Sequence, residues 1–401
     1  MKVYIVAAKR TAIGSMLGSL KDVPAPDMGA VVVKQLLTDT GINPADIDEV
    51  IVGNVLPAGC GQGVGRQVSI KAGIPYNVPA HTLNMVCGSG MKAVMNAYRE
   101  ILTGGADLII AGGTENMSRA PLLLPQYIRT GHKMGEMKVS DHMLLDGLID
   151  SFSNEHMGIT AENIAEKYNI TRQQQDEFSF ASQQKAIKAI DGGKFKKEIV
   201  PIVIKQKKGE FVFDTDEYPN RTTSLEKLAC LRPAFKPTGT VTAGSSSGIN
   251  DGASFVMVAS EEAVKKYGLK PLVEIVGVGQ GGVDPQYMGL GPTPAIRKAL
   301  KSANLTLDKM EIIELNEAFA AQSLGVIKEL CEEHKVDKKT LMEKINLLGG
   351  AIALGHPVGA SGNRILVTLI YQLLSSNAKL GLASLCIGGG MGTAIIVRKA
   401  N

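Results

Sequence analysis

Glu49-Val50-Ile51-Val52-Gly53-Asn54 and Glu311-Ile312-Ile313-Glu314-Leu315-Asn316 are one pattern written twice, at an offset of 262 (311 minus 49). Each is a short apolar run opened by Glu and closed by Asn, which reads as a buried strand. Each follows a helical stretch. Residues 27–40 carry Met28, Val31, Val32, Leu36 and Leu37 at helical spacing and stop at Gly41, which matches Ala303 at the same offset. A second set of matches lies further on. Ser89-Gly90 returns as Ser361-Gly362 at an offset of 272 (361 minus 89), where Ala106-Asp107-Leu108 meets Ala378-Lys379-Leu380 and Thr114 meets Cys386. An internal duplication accounts for both sets. Strands at 3–8, 49–55 and 107–113 alternate with helices. The expectation is therefore an α/β fold of two related open sheets facing each other.

The halves differ at one hairpin. In the second half, a strand at 382–387 turns through Gly388-Gly389-Gly390 into a strand at 393–397. In the first half the matching partner strand is 253–258, more than a hundred residues beyond Ala111. Residues 118–247 thus read as an insertion at that hairpin. It holds helical stretches at 160–168 and 171–190 and a basic stretch at 194–208, which we read as a solvated hairpin. The expected division is 1–117 with 248–270 for the first half, 118–247 for the insertion, and 271–401 for the second half. A loop-borne insertion at the open end of a sheet is a common source of a substrate pocket.

Asn84-Met85-Val86-Cys87-Gly88-Ser89-Gly90 leads into a helix expected to run to about Tyr98. Cys87 then sits just before a helix N-terminus, where free N–H groups and the macrodipole favour negative charge. A thiol so placed is expected to have a lowered pKa and to act as a nucleophile. A free cysteine is also commonly a small buried hydrophobe, and this stretch alone leaves both readings open. Three other stretches fall at equivalent loop ends: Asn316-Glu317-Ala318-Phe319, the run from Gly355-His356 to Ser361-Gly362, and Cys386-Ile387-Gly388. His356 alone reads equally as a helix cap, Asn316 as a turn residue, and Cys386 as core. Polar residues gathered at strand ends fit a site better than a core. Two thiols, an imidazole and an amide suit acyl transfer coupled to proton transfer at a carbon α to a thioester.

Composition narrows the alternatives. A net charge of +4 is too weak to argue for nucleic acid and compatible with a small anionic ligand. With no Trp and 4% aromatic residues, base-stacking platforms are not expected. The five cysteines lack CxxC spacing and no His pair has ligand spacing, so neither a metal site nor a disulfide framework is read. No apolar run approaches the ~18 residues of a membrane span. The N-terminal apolar run is too short for a signal peptide, and a cytoplasmic location is the expectation.

NMVCGSGMKAV (84–94), NEAFA (316–320), GGAIALGHPVGASG (349–362) and CIGGGMGTA (386–394) together resemble the signature stretches of the thiolase family, over essentially the whole chain. The resemblance implies duplicated βαβαβαββ halves in a five-layered α/β/α/β/α core, with a loop domain inserted in the first half. It implies Cys87 as acyl-accepting nucleophile and His356 as its activator and a donor to a thioester oxygen. It also implies Cys386 as acid and base at the α-carbon, Asn316 as holder of an oxyanion-hole water, and the N–H groups of Cys87 and Gly388 as a second oxyanion hole. For coenzyme A it implies Arg221 near the adenine, Ser247 and the adjoining Ala243 near the pantetheine, and His156, Met157, Phe235, Met288, Ala318 and Phe319 lining the acyl pocket. Arg221 by itself reads as well as a solvated surface charge. No permanently bound cofactor is implied; the substrates are coenzyme A thioesters, namely acetyl-CoA and acetoacetyl-CoA, with free CoA. His156-Met157 and Met288 resemble the short-chain, acetoacetyl-CoA-forming branch. A degradative 3-ketoacyl-CoA thiolase is the alternative, and a non-catalytic acyl-CoA carrier is disfavoured by the presence of both Cys87 and His356. A homotetramer, as a dimer of dimers, is also implied.

Overall fold

The computed structural model describes residues 1–207 and 209–400; Lys208, the last residue of the basic stretch, and Asn401 lie outside the described residues. In the first half, β1 (Val3–Thr11) is followed by α1 (Ala25–Thr40), β2 (Glu49–Gly53), α2 (Val64–Lys71), β3 (Ala80–Leu83), α3 (Ser89–Leu102) and β4 (Leu108–Asn116). The insertion contributes α4 (Met157–Tyr168) and α5 (Arg172–Asp191), and β5 (Asn250–Ser260) closes the half by pairing antiparallel with β4. The second half repeats the order, with an isolated bridge of Ile345 to Ile313 in place of a strand like β3: β6 (Val273–Gly282), α6 (Pro292–Ala303), β7 (Ile312–Leu315), α7 (Ala320–His334), α8 (Val358–Leu374), β8 (Leu380–Ile387) and β9 (Met391–Lys399). The basic stretch enters a two-stranded hairpin, Ile202–Gln206 against Gly209–Phe213, with most of its residues exposed.

The duplication extends to irregularities. β1 slips register against β5 between Ile5 and Ala7, and β6 slips against β9 between Ile275 and Gly277. Both α1 and α6 end on a residue in the left-handed conformation, Gly41 (φ 67°) and Asn304 (φ 52°). The cap of the second helix is thus Asn304, one residue beyond the Ala303 expected from the offset. Asn is the residue other than Gly that most readily takes this conformation.

The two sheets are not separate. They form one sheet in the order β7-β8-β9-β6-β1-β5-β4-β2-β3, joined where Tyr4 and Ile5 of β1 pair with Glu274 and Val273 of β6. The joint is two residue pairs long, so the half-sheets bend around it and still face one another across α3 and α8. That central layer buries Met91, Val94 and Met95 of α3 with Ile365, Leu366 and Leu369 of α8 against Ile109 and Val256 on one side and Ala383 and Ile395 on the other. Outside, Val33 and Leu36 of α1 and Val68 of α2 cover Val50, Val52 and Phe255. Ile296 and Ala299 of α6 and Ile327 of α7 cover Leu315, Leu382 and Ile396. The result is a five-layered α/β/α/β/α core. Each buried Leu, Ile or Val contributes about 1.5–3 kcal/mol.

Two glycines set how closely α3 and α8 cross. A Cβ on Gly90 would lie 2.9 Å from the Gly359 carbonyl oxygen, and one on Gly362 would lie 2.7 Å from the Met91 nitrogen. The first turns of the two helices therefore touch backbone to backbone. The residues just ahead of those turns, Cys87 and His356, are delivered to one place.

Candidate active site

Cys87 stands on a tight elbow. Val86, a β-branched residue, has φ 46°, a conformation that costs it about 1–3 kcal/mol. The surrounding hydrogen bonds hold it there. Asn84 Oδ1 accepts from the Val86 N–H (2.9 Å), Ser89 Oγ accepts from the Met85 N–H (2.9 Å), and the Ser89 hydroxyl donates to the Val86 carbonyl (2.7 Å). The elbow turns the thiol into a cavity of about 560 Å³. A Cβ on Gly88 would meet Ile387 Cδ1 at 2.3 Å, so the elbow packs directly on the β8–β9 turn of the other half.

That cavity is lined by Cys87, His356, Cys386 and Gly388 together with His156, Met157, Phe235, Ala243, Ser247, Met288, Ala318 and Phe319. Residues from both halves and from the insertion thus share one wall. His156 caps α4, its Nδ1 accepting from the Gly158 N–H (3.0 Å), and its ring stacks on Phe235 with centroids 4.7 Å apart. Phe235 meets Phe319 edge to face at 5.9 Å. These three rings and the two methionines give the cavity its apolar side.

Two expected residues do not line it. Asn316 follows β7, is buried, and neither its Oδ1 nor its Nδ2 has a partner among the described residues. A buried amide without partners is the kind of group that holds water. Arg221 is exposed and ion-paired with Asp191 (2.7 and 3.1 Å). Its neighbours Asn220 and Thr223 line a second cavity, which shares Ser15, Tyr218 and Ala243 with the first.

The electrostatics correct one expectation. The Cys87 thiol is not lowered but pushed up to about 11, because burial outweighs the N–H groups of Gly388 and Cys87 that face the sulfur. Cys386 is raised further, by burial and by the adjacent Cys87. Both cysteines rest as thiols. His356 is pulled down to about 4 by burial and by the Arg364 guanidinium, so its imidazole is neutral.

The hydrogen bonds of His356 set its tautomer. We assign the one proton of the Ser361 hydroxyl to the Pro357 carbonyl (2.9 Å). The hydroxyl oxygen therefore accepts from His356 Nδ1–H at 2.6 Å. The other ring nitrogen, Nε2, is then unprotonated, and it has no partner among the described residues. Asn250 Oδ1 accepts from the His356 N–H (2.9 Å) and fixes the backbone. A neutral imidazole with a bare nitrogen in a cavity beside a thiol is a base placed for that thiol.

Sequence reading missed several of these supports. The αL conformation of Val86 has no sequence signal, since nothing about valine announces it. Ser361 was legible only as part of the repeated Ser-Gly pair. Leu148, Tyr218, Ile249 and Val358, the last being the first residue of α8, also line the cavity and come from four separate segments.

The comparisons agree with this architecture. Residues 3–262 match the thiolase N-terminal domain and residues 269–399 the thiolase C-terminal domain. An acetyl-CoA acetyltransferase of Syntrophomonas wolfei is 54% identical over 398 residues, 99% of this chain and 98% of that one. A solved acetyl-CoA acetyltransferase from the same organism superposes with a TM-score of 0.96 at 43% identity, covering 100% of this chain and 99% of that chain. Human mitochondrial 3-ketoacyl-CoA thiolase superposes at 0.94 with 42% identity, with coverage of 100% and 99%. Two matched domains that together run from residue 3 to residue 399, on this duplicated five-layered core, place the chain in the thiolase family.

Proposed function

We propose that this acyltransferase is an acetyl-CoA C-acetyltransferase, converting two acetyl-CoA into acetoacetyl-CoA and CoA and running the reverse cleavage. The observation that carries the reading is the bare Nε2 of a neutral His356 in the same cavity as two protonated thiols, Cys87 and Cys386. In the cleavage direction, His356 Nε2 takes the Cys87 proton as the sulfur attacks the keto carbon of acetoacetyl-CoA. The C–C bond breaks, its electron pair stays on the departing acetyl-CoA as an enolate, and the Cys386 thiol protonates that carbon. The acetyl group is left on Cys87. CoA then attacks it, giving its thiol proton to the Cys386 thiolate. Cys87 leaves and regains its proton from His356. Condensation is the microscopic reverse. The N–H groups of Cys87 and Gly388, which face the Cys87 sulfur, take the tetrahedral oxyanion on the acylated cysteine. A water on Asn316, with His356, takes the enolate oxygen.

Short acyl chains fit the ring and methionine wall formed by Met157, Phe235, Met288 and Phe319. The insertion, taken as 118–247 between 1–117 with 248–270 and 271–401, supplies much of the coenzyme A contact. Ala243 and Ser247 line the pantetheine path, and Arg221 lies beside the outer cavity toward the adenine. A cytoplasmic homotetramer completes the reading; among the described residues no helix is long and apolar enough to cross a membrane. The test is a thiolysis profile from C4 to C16 substrates, with acid-quenched protein mapped for S-acetyl-Cys87. Activity greatest at C4 with acetyl on Cys87 supports the reading. Activity rising with chain length supports the 3-ketoacyl-CoA alternative, and acetyl on no cysteine sinks both.

A further inference from the structure

Glu115 is a wholly buried carboxylate on β4, and both of its oxygens are fully engaged. Oε1 accepts from Asn54 Nδ2 (2.9 Å) and the Leu56 N–H (3.1 Å); Oε2 accepts from the Val55 N–H (2.9 Å) and the Gly359 N–H (3.0 Å). Three of those donors lie on the segment after β2, in the half that carries Cys87. The fourth lies in the first turn of α8, three residues after His356. Gly359 is fitted to this contact: a Cβ there would sit 2.5 Å from Glu115 Oε2. We propose that Glu115 is a positioning residue for acetyl transfer, its carboxylate locking the His356-bearing turn of α8 onto the half that bears Cys87.

The duplication supplies the control. At the offset of 272 (387 minus 115), Glu115 corresponds to Ile387. Ile387 supports the opposite helix in the same way, its side chain lying on Gly88 beside Cys87. Each strand end therefore braces the first turn of the other half's helix. On the Cys87 side the brace is apolar packing. On the His356 side it is a buried carboxylate, which burial holds up at about 7. An apolar side chain serves the fold at one of two equivalent places, so packing alone does not call for a charge at the other. A hydrogen-bonded tie fixes direction as well as distance, and a base needs both to meet a thiol proton. The wall above the tie joins the same parts: Val55, Leu56 and Val358 pack with Val86 and Cys87.

This inference rests on the proposed acetyl transfer, and its test separates the two. Glu115→Gln and Glu115→Asp are compared with the unchanged enzyme for thiolysis of acetoacetyl-CoA, melting temperature, and alkylation of Cys87 by iodoacetamide, which needs no coenzyme A substrate. Glutamine keeps one oxygen for Val55 and Gly359 but turns an NH₂ toward two donors; aspartate keeps the charge but is one methylene short of Gly359. For both, kcat is expected to fall about 10- to 100-fold, the scale of an ångström-sized misplacement. KM is expected to stay within about twofold, since the acyl-pocket wall is untouched, and alkylation at neutral pH to slow with kcat. A variant that melts lower but keeps kcat and the alkylation rate per folded molecule overturns the proposal, as does failure of both variants to fold. An unchanged enzyme without thiolysis sinks the proposed function instead, and the alkylation comparison still decides the role of Glu115.

Discussion

His356 Nδ1 lies 2.6 Å from Ser361 Oγ, and that oxygen lies 2.9 Å from the Pro357 carbonyl, the acceptor to which its only proton is assigned. Three residues of one helix start, His356, Pro357 and Ser361, therefore decide which imidazole nitrogen faces the cavity. The relationship is local in sequence, but its consequence lies across the molecule, at Cys87 in the other half.

Ser361→Ala removes the acceptor for Nδ1–H and frees the ring to turn or change tautomer. A hydrogen bond of about 1–3 kcal/mol is at stake when one buried partner is deleted. Steady-state kinetics should show kcat down about 10- to 100-fold with little change in KM. Unchanged kcat would mean that the tautomer is held by something else.

The pH dependence follows from the signs of the shifts. His356 titrates near 4, so it is already a neutral base above that pH; an acid limb of kcat/KM near 7 then belongs to Glu115, which burial holds up at about 7, and should be absent from Glu115→Gln. The Cys87 thiol titrates near 11, so iodoacetamide alkylation of the free enzyme should keep rising from pH 7 to pH 10. A plateau reached by pH 8 would show a thiolate stabilised in the resting state and contradict the burial argument.

The two cysteines separate by half-reaction. Cys87→Ser should lose both protein-bound acetyl and turnover, because a serine hydroxyl is a far weaker nucleophile. Cys386→Ser should still accept acetyl from acetyl-CoA, though more slowly, because CoA can leave as a thiolate without the Cys386 proton, while condensation falls by about 10²–10⁴-fold, the usual worth of general acid–base catalysis. Radiolabelled acetyl-CoA with an acid quench reads the two quantities apart. Label on the Cys87 variant and none on the Cys386 variant would reverse the assignment.

Among the described residues β3 (Ala80–Leu83) ends the sheet, with only β2 beside it, and its side chains are part-buried or exposed. An unpaired edge leading directly to Cys87 suits strand pairing across a twofold axis. Light scattering at micromolar concentration should give a tetramer; a monomer would remove the oligomer from the proposal.

The alternation of strands and helices, the duplication and the inserted segment were legible in the chain, because apolar periodicity and repeated spacing depend on local backbone geometry, whereas the helix Val64–Lys71 and the strands Ala80–Leu83 and Val273–Gly282 were not read from periodicity. Cys386 and Asn316 were legible as candidates at the ends of strands, and Cys87 and His356 as residues just ahead of helix starts. What local pattern does not contain is distance between halves. Only the folded structure shows the half-sheets hydrogen-bonded at Tyr4 and Ile5, and only it brings α3 and α8 to backbone contact at Gly90 and Gly359. The charge states belong to tertiary structure as well. A helix start argues for a lowered Cys87 pKa, yet desolvation by residues from three segments raises it to about 11. Burial is a sum over neighbours remote in sequence, and the same sum leaves His356 neutral and makes it the base.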